Sequence, residues 1–267
     1  MIIELTYACK MGCNHCMSDC KPDGKNMSVD TFKDVLDFTI RNHVPNWVFS
    51  GGEIFEHPDI LEILKIIEEK IDSKLYVGPV TFITNGRELA RNMEIYEAVT
   101  EFQRKRKKSL TLIQVTDDPR FYPDPLTKKD IYRLNKLDAF IEGVPGNKDN
   151  PDQCLYPQGR ALENFLDANW NVVGPKCANC VLIANQGAGT FTKLVYTLLS
   201  IGKICTPMID LDGNIKVGES ALCPAVASIY DSDEEIMNKI RNHKCKACNI
   251  AWKSLKETNP RAYEMLK

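Results

Sequence analysis

The chain lacks any apolar run approaching the roughly 20 residues that span a bilayer. It starts Met1-Ile2-Ile3-Glu4-Leu5-Thr6-Tyr7, without the basic segment, hydrophobic stretch or cleavage site of a secretory signal. A cytoplasmic location and no membrane association are therefore expected. Neither sign of charge is in excess: 34 Lys and Arg against 36 Asp and Glu leave a formal net charge of −2. That balance gives no broad basic field to gather nucleic acid, which is not an expected partner. The one dense basic run, Arg104-Lys105-Arg106-Lys107-Lys108, reads as the solvated end of a helix, where cations complement the dipole. Histidine is scarce, and His43, His57 and His243 are not spaced as a ligand set. There is no internal repeat and no low-complexity tract.

Cysteine, by contrast, is abundant: 11 in 267 residues. Disulfides are not expected in a reducing compartment, and an odd count fits a disulfide framework poorly. The spacing is clustered as Cys9/Cys13/Cys16/Cys20, Cys154, Cys177/Cys180, Cys205, Cys223 and Cys245/Cys248. Clustered thiols point to metal.

Around these cysteines, strand-like and helix-like runs alternate. Strands are expected at residues 2–6, 47–49, 80–83, 110–115 and 139–141. Ser28 is expected to cap a helix through about Arg41, with Phe32, Val35, Leu36 and Ile40 on its buried stripe. Pro58 reads as the first residue of a second helix, with Ile60, Leu61, Leu64, Ile67 and Ile71 inward. A third helix is expected over 88–105, and a fourth is capped by Thr127. Repeated βα units of this length imply a parallel sheet with right-handed crossovers. In barrels built this way the working loops lie at the C-terminal ends of the strands. Further on, residues 207–217 read as a hairpin turning at Asp212-Gly213, followed by a helix over 234–242.

Cys9-x3-Cys13-x2-Cys16 offers three thiolates from one short loop. An iron–sulfur cubane with three protein ligands keeps one iron open, and an open metal position admits a ligand directly. Two other readings stay open on the residues alone. One is a zinc site, although zinc usually pairs ligands across two loops. The other is a saturated four-cysteine cluster that uses Cys20.

The spacing resembles the CxxxCxxC signature of the radical S-adenosylmethionine (SAM) superfamily, including a ring residue, His15, before the third cysteine. Gly51-Gly52-Glu53 after the second strand matches that family's GGE motif; the usual following proline is replaced by Ile54. Thr84-Asn85-Gly86 closes the third strand, where family members contact the ribose of SAM or nearby groups. The resemblance implies an α/β fold: a partial (β/α)6 TIM-like barrel over residues 1–190. It implies that Cys9, Cys13 and Cys16 ligate a [4Fe–4S] cluster and that Gly51, Gly52 and Glu53 bind the methionine moiety of SAM. His15 would lie near adenine, and Thr84 and Asn85 near the ribose. Gln114 and Asp117 would reach the ribose or substrate, an ordinary loop turn being the alternative for them. The implied chemistry is reductive cleavage of SAM to a 5′-deoxyadenosyl radical that abstracts hydrogen from a C–H bond. An electron donor such as flavodoxin or ferredoxin is implied with it.

Cys205, Cys223, Cys245 and Cys248 resemble the auxiliary-cluster appendage of such enzymes, in a short twitch-like or SPASM-like form over residues 200–258, with 259–267 a tail. A second [4Fe–4S] cluster is implied there, a zinc staple being the alternative. Tyr156-Pro157-Gln158-Gly159-Arg160-Ala161 resembles a segment frequent in peptide-modifying relatives, with Arg160 a candidate contact to SAM or substrate, or a surface ion pair. The roles of Cys20, Cys154, Cys177 and Cys180 stay open. The expected substrate is a peptide or protein side chain, oxidised or cross-linked with the auxiliary cluster as electron acceptor. A small molecule such as an aminosugar alcohol is the second candidate. A non-catalytic iron–sulfur or zinc-binding interaction protein is the reading of another class.

Overall fold

A computed structural model describes residues 1–44, 46–106, 110–143, 159–164, 207–216 and 224–242. The chain alternates strands and helices: β1 (Ile2–Thr6), α1 (Val29–Arg41), β2 (Trp47–Gly51), a 3-10 turn (Ile54–Glu56), α2 (Ile60–Asp72) and β3 (Val80–Thr84). There follow α3 (Arg87–Arg91), α4 (Met93–Arg106), β4 (Thr111–Thr116), α5 (Lys128–Lys136), β5 (Phe140–Glu142) and α6 (Gly159–Asn164). Beyond these lie β6 (Met208–Ile209), β7 (Asn214–Lys216), β8 (Ala225–Ser228) and α7 (Asp233–Asn242). Among the described residues no helix is long and apolar enough to cross a membrane.

One sheet runs in the order β5-β4-β3-β2-β1-β6-β7-β8. The strands β1 to β5 pair in parallel, as the repeated βα units require, and β6 joins the outer edge of β1, also in parallel. The expected hairpin forms between β6 and β7, turned by Gly213 at φ +77°. Asp210 fixes that turn, its Oδ1 accepting from the backbone N–H groups of Asp212 and Asn214, each at 3.0 Å. The hairpin therefore continues the same sheet that carries the N-terminal strands.

Side chains alternate across the sheet with period two. Ile3 and Leu5, Trp47 and Phe49, Val80 and Phe82, and Ile113 and Val115 all join the buried core under the helices. Aromatic rings fill much of that layer: Phe49 lies 5.7 Å from Phe82, and Phe82 lies 5.8 Å from Phe102. Trp47 stacks on Tyr76 at 3.6 Å and donates its indole N–H to Thr39 Oγ1 at 2.8 Å. The opposite parity sets Glu4 beside Ser50, and Ile83 beside Gln114, on the other face.

Most helix starts follow the sequence signals. Ser28 accepts from Thr31 N–H, and Thr127 and Asp130 form a reciprocal capping box. Three expectations need correction. The helix expected over 88–105 is two helices, because Asn92 turns its Oδ1 to the N–H of Glu94 at 3.2 Å and caps a new start. Pro58 stands outside α2, which begins at Ile60; His57 occupies the approach, with Nδ1 accepting from Asp59 N–H at 3.0 Å. The basic run is only partly solvated. Arg104 and Lys105 pair with Glu101 and Glu68 at the surface, while Arg106 is buried and donates to Gly78 O.

Candidate functional site

The first crossover leaves β1 at Thr6 and makes a long excursion before α1. Its base is sewn shut: Tyr7 N–H donates to Lys25 O at 2.8 Å, and Cys9 N–H donates to Lys21 O at 2.9 Å. Gly24 makes the closure possible, since a Cβ there would lie 2.0 Å from Tyr7 O. Cys9, Cys13, Cys16 and Cys20 all lie within this loop as free thiols, Cys13 and Cys20 buried and the other two half-buried. Cys20 N–H donates to Cys16 Sγ at 3.3 Å.

The end of β2 presses against the root of that loop. Gly52 N–H donates to Thr6 O at 2.6 Å and Glu53 N–H to Ala8 O at 2.8 Å. Gly51 sits at φ +140°, and a Cβ on Gly51 or Gly52 would stand 2.2 Å from Thr6 O or Ala8 O respectively. The close backbone approach that the glycine pair permits is thus made to β1. Glu53 is fully buried. Its Oε1 accepts from Thr84 Oγ1 at 2.6 Å and Phe55 N–H at 3.2 Å, and its Oε2 from Asn85 N–H at 2.7 Å. Three of about four lone-pair positions on the carboxylate are so occupied. Glu53, Thr84 and Asn85 are therefore brought together as a polar knot joining the ends of β2 and β3. Burial pushes the Glu53 carboxyl up to about 7 against the pull of these hydrogen bonds.

A loop after β4 covers the cysteines. His15 packs against Phe121 at 4.6 Å and Tyr122 at 5.4 Å between ring centroids. Its Nδ1 is buried and has no hydrogen-bond partner among the described residues. Burial lowers its pKa to about 4, so the ring is neutral. Arg87 donates to Asp117 and lies 5.1 Å from the Tyr122 ring. Asp117 is thereby engaged within the loop. Gln114 lies apart, on the open face of the sheet, where its amide donates to Glu142. Arg160 reaches the cysteine loop itself, donating to Cys13 O at 3.0 Å.

Sequence reasoning missed three polar residues on that same open face. Tyr7 Oη donates to Glu4 Oε2 at 2.7 Å, and Lys216 Nζ lies 3.4 Å from the same oxygen and 3.5 Å from Tyr7 Oη. Burial, then the bond to Glu4, raises the Tyr7 hydroxyl far above its usual range. The available signal was Glu4 itself, a carboxylate inside an otherwise apolar buried strand. Arg87, Phe121 and Tyr122 gave no comparable signal.

The thiols' surroundings bear on what they hold. Burial pushes Cys13 up to about 12, with Cys9 and Cys16 adding to it, and Cys9 up to about 11. Cys16 moves the other way, through the hydrogen bond from Cys20. Buried thiols that oppose one another's ionisation suit a cationic occupant, which supplies the missing charge. Yet among the described residues no three His, Cys, Asp or Glu side chains converge on a single-ion site. A lone zinc needs each sulfur about 2.3 Å away, whereas a cubane spreads its ligands over separate irons. The donor set, soft thiols carried on one short loop, is of the chemistry that iron–sulfur clusters take. Cys154, Cys177, Cys180, Cys205, Cys223, Cys245 and Cys248 lie outside the described residues.

Residues 3–106 match the family model described as the radical SAM superfamily. Over 84 residues the chain is 34% identical to the antilisterial bacteriocin subtilosin biosynthesis protein AlbA of Bacillus subtilis, covering 31% of this chain and 17% of that protein. Over 100 residues it is 33% identical to the mycofactocin maturase MftC of Mycobacterium tuberculosis, covering 37% of this chain and 24% of that one. The matches thus span less than a quarter of either relative's length. In fold, the chain resembles the solved structure of native anSMEcpe with bound AdoMet and Cp18Cys peptide, with TM-score 0.54 at 12% identity over 94% of this chain and 81% of that one. The α/β fold is thus the parallel-rich, partial-barrel type. The cysteine loop and the glycine–glutamate turn both lie within residues 3–106, the part of the chain that resembles that family.

Proposed function

We propose that this chain is a radical SAM enzyme that modifies a peptide or protein side chain, and that Cys9, Cys13 and Cys16 are the ligands of its [4Fe–4S] cluster. One observation carries the reading: a loop of free thiols is sewn to the C-terminal end of β1 and backed by the Gly51–Glu53 turn, beside the open face of a parallel sheet. When bound, the cluster supplies the electron that cleaves SAM into methionine and a 5′-deoxyadenosyl radical.

The chain's own residues do the rest. Glu53 is the anion for the methionyl ammonium, its last lone-pair position being the one not spent on Thr84, Asn85 and Phe55. Gly51 and Gly52 hold that carboxylate beside the loop. Thr84 and Asn85 fix its direction. His15, wedged on Phe121 and Tyr122, keeps water from the thiols and lies on the adenine side. Gln114 and Glu142 at one side of the open face, and Glu4, Tyr7 and Lys216 at the other, are polar posts for orienting a substrate.

A peptide substrate is favoured by the relatives' names, one for bacteriocin biosynthesis and one for a maturase, and by the peptide bound in the structurally similar anSMEcpe. The second reading, oxidation of a small aminosugar-like alcohol, rests on the short spacing of Cys205, Cys223, Cys245 and Cys248. In either case we assign those four to a second [4Fe–4S] cluster that accepts the substrate's electron. Flavodoxin or ferredoxin is the proposed donor to the first cluster.

The test is anaerobic reconstitution with iron and sulfide, followed by dithionite, SAM and chromatography of the products. The parent chain is expected to form 5′-deoxyadenosine. Cys16→Ala is expected to lose that product by at least about 1,000-fold, as removal of an essential catalytic group does, with an unchanged circular dichroism spectrum. A zinc-loaded, sulfide-free parent that releases no 5′-deoxyadenosine overturns the proposal.

A further inference from the structure

The cysteine loop has little internal structure of its own. Between residues 10 and 20 it contains one backbone–backbone hydrogen bond among the described residues, Cys16 N–H to Cys13 O at 3.3 Å. Asp19 sits at φ +47°, in the left-handed region that residues other than glycine seldom occupy. Something outside the loop must hold this shape.

The short helix α6 does so. Arg160 Nε donates to Cys13 O at 3.0 Å. Its Nη1 donates to Cys20 O at 2.8 Å and to Asp19 Oδ1 at 2.9 Å. One guanidinium thus bridges the two ends of the segment that contains Cys16. Asn164 adds a donor to Asn14 O at 3.0 Å. Gly159, at φ +52°, fits where a Cβ would stand 2.6 Å from both Cys16 O and Met17 O. The helix and the loop touch backbone to backbone. A guanidinium suits this task because its donors are fixed in a plane and point to separate acceptors, which an ammonium does not reproduce.

We propose that Arg160 is a positioning residue: a clamp that fixes the Cys13–Cys20 segment in the shape that receives the cluster and keeps a permanent positive charge beside it. The cluster half of this statement rests on the function proposed above; the clamp on the loop does not.

The experiment compares the parent full-length chain with Arg160→Gln, Arg160→Lys and Asp19→Asn. Two readouts separate the clamp from the cluster. In the metal-free chain, mass spectrometry follows the alkylation rate of Cys13. Arg160→Gln is expected to raise it about tenfold, the effect of losing one hydrogen bond to a charged group. Asp19→Asn is expected to raise it less. In the reconstituted chain, iron and sulfide content, the midpoint potential and the SAM-induced change in the electron paramagnetic resonance signal are measured. That change singles out the cluster in this loop. Arg160→Gln is expected to lose iron, weaken the SAM response and shift the potential negative. Arg160→Lys, keeping the charge without the fork, is expected to recover the potential more than the iron content. It also decides the question if the glutamine variant does not fold. Parent-like alkylation, iron and potential in both Arg160 variants would overturn the proposal. A parent that takes up no iron, with Cys13 still exposed by Arg160→Gln, would retain the clamp and sink the cluster assignment instead.

Discussion

The Gly51–Glu53 turn and the cysteine loop meet at the end of β1, and they are held in opposite ways. The turn is fixed by backbone bonds to its neighbouring strand and by a buried carboxylate with three donors, none of them far away in the sheet. The loop is sewn by backbone bonds at its base; its body is held by side chains from α6, with one close backbone approach at Gly159, and capped by rings from the loop after β4. A part whose geometry is set by close packing admits no side-chain change. A part set by a few polar contacts adjusts as those contacts form. That contrast suits a rigid carboxyl group placed next to a loop that, under the proposed function, receives a cluster.

The sharpest way to break the comparison is a methyl group. Gly52→Ala places a Cβ 2.2 Å from Ala8 O, where only backbone can yield. It is expected to cost about 3 kcal/mol or more, in the range of severe overpacking and backbone strain, read as a lowered urea midpoint. A parent-like midpoint would mean the turn is as adaptable as the loop.

Next comes acidity. Burial raises Glu53 from its ordinary 4.5 to about 7. Between those values the folded chain keeps a proton that the unfolded chain has released, so stability falls as pH rises through this window and levels off above it. The shift corresponds to about 3 kcal/mol. Glu53→Gln does not titrate, and its unfolding free energy is expected to change less between about pH 5 and about pH 7 than the parent's, by up to that amount. Equal slopes for the two chains would show that the carboxylate is not held in a dry site.

The smallest effect sharpens the other side. Gly12, in the cysteine loop, has φ +67° but no atom within 4 Å of a Cβ built on it. Gly12→Ala is therefore expected to cost only about 1 kcal/mol, the conformational penalty alone, in the same urea assay. A loss as large as that of Gly52→Ala would mean that the loop is tightly packed after all.

How much of this the sequence discloses depends on how far apart the interacting residues lie. The strands, the Ser28 and Thr127 caps and the Gly213 turn are set by neighbours within a few residues, and the chain reads correctly there. The break at Asn92 is also local, but Asn inside a run of good helix formers gives only a faint capping signal. The site is legible in its spacing and its glycine pair, because thiols and tight backbone contacts restrict residue type. What is not legible is who touches whom. Glu53 to Thr84, Arg87 to Asp117, Arg160 to Cys13 and Glu4 to Lys216 join distant segments, and no periodicity announces such pairs. Arg160 stood out as a residue, but its partners, the carbonyls of the cysteine loop, emerged only from the fold.

The attachment of β6 to the outer edge of β1 has a consequence for synthesis. At about 5–20 residues per second, roughly 10–40 s separate the emergence of the two strands from the ribosome. Throughout that interval one flank of the first strand offers unpaired amides and carbonyls to any chain nearby. The nascent protein is thus most vulnerable to wrongful association late in translation, and a chaperone that shields that flank would raise yield more than one acting on the finished molecule.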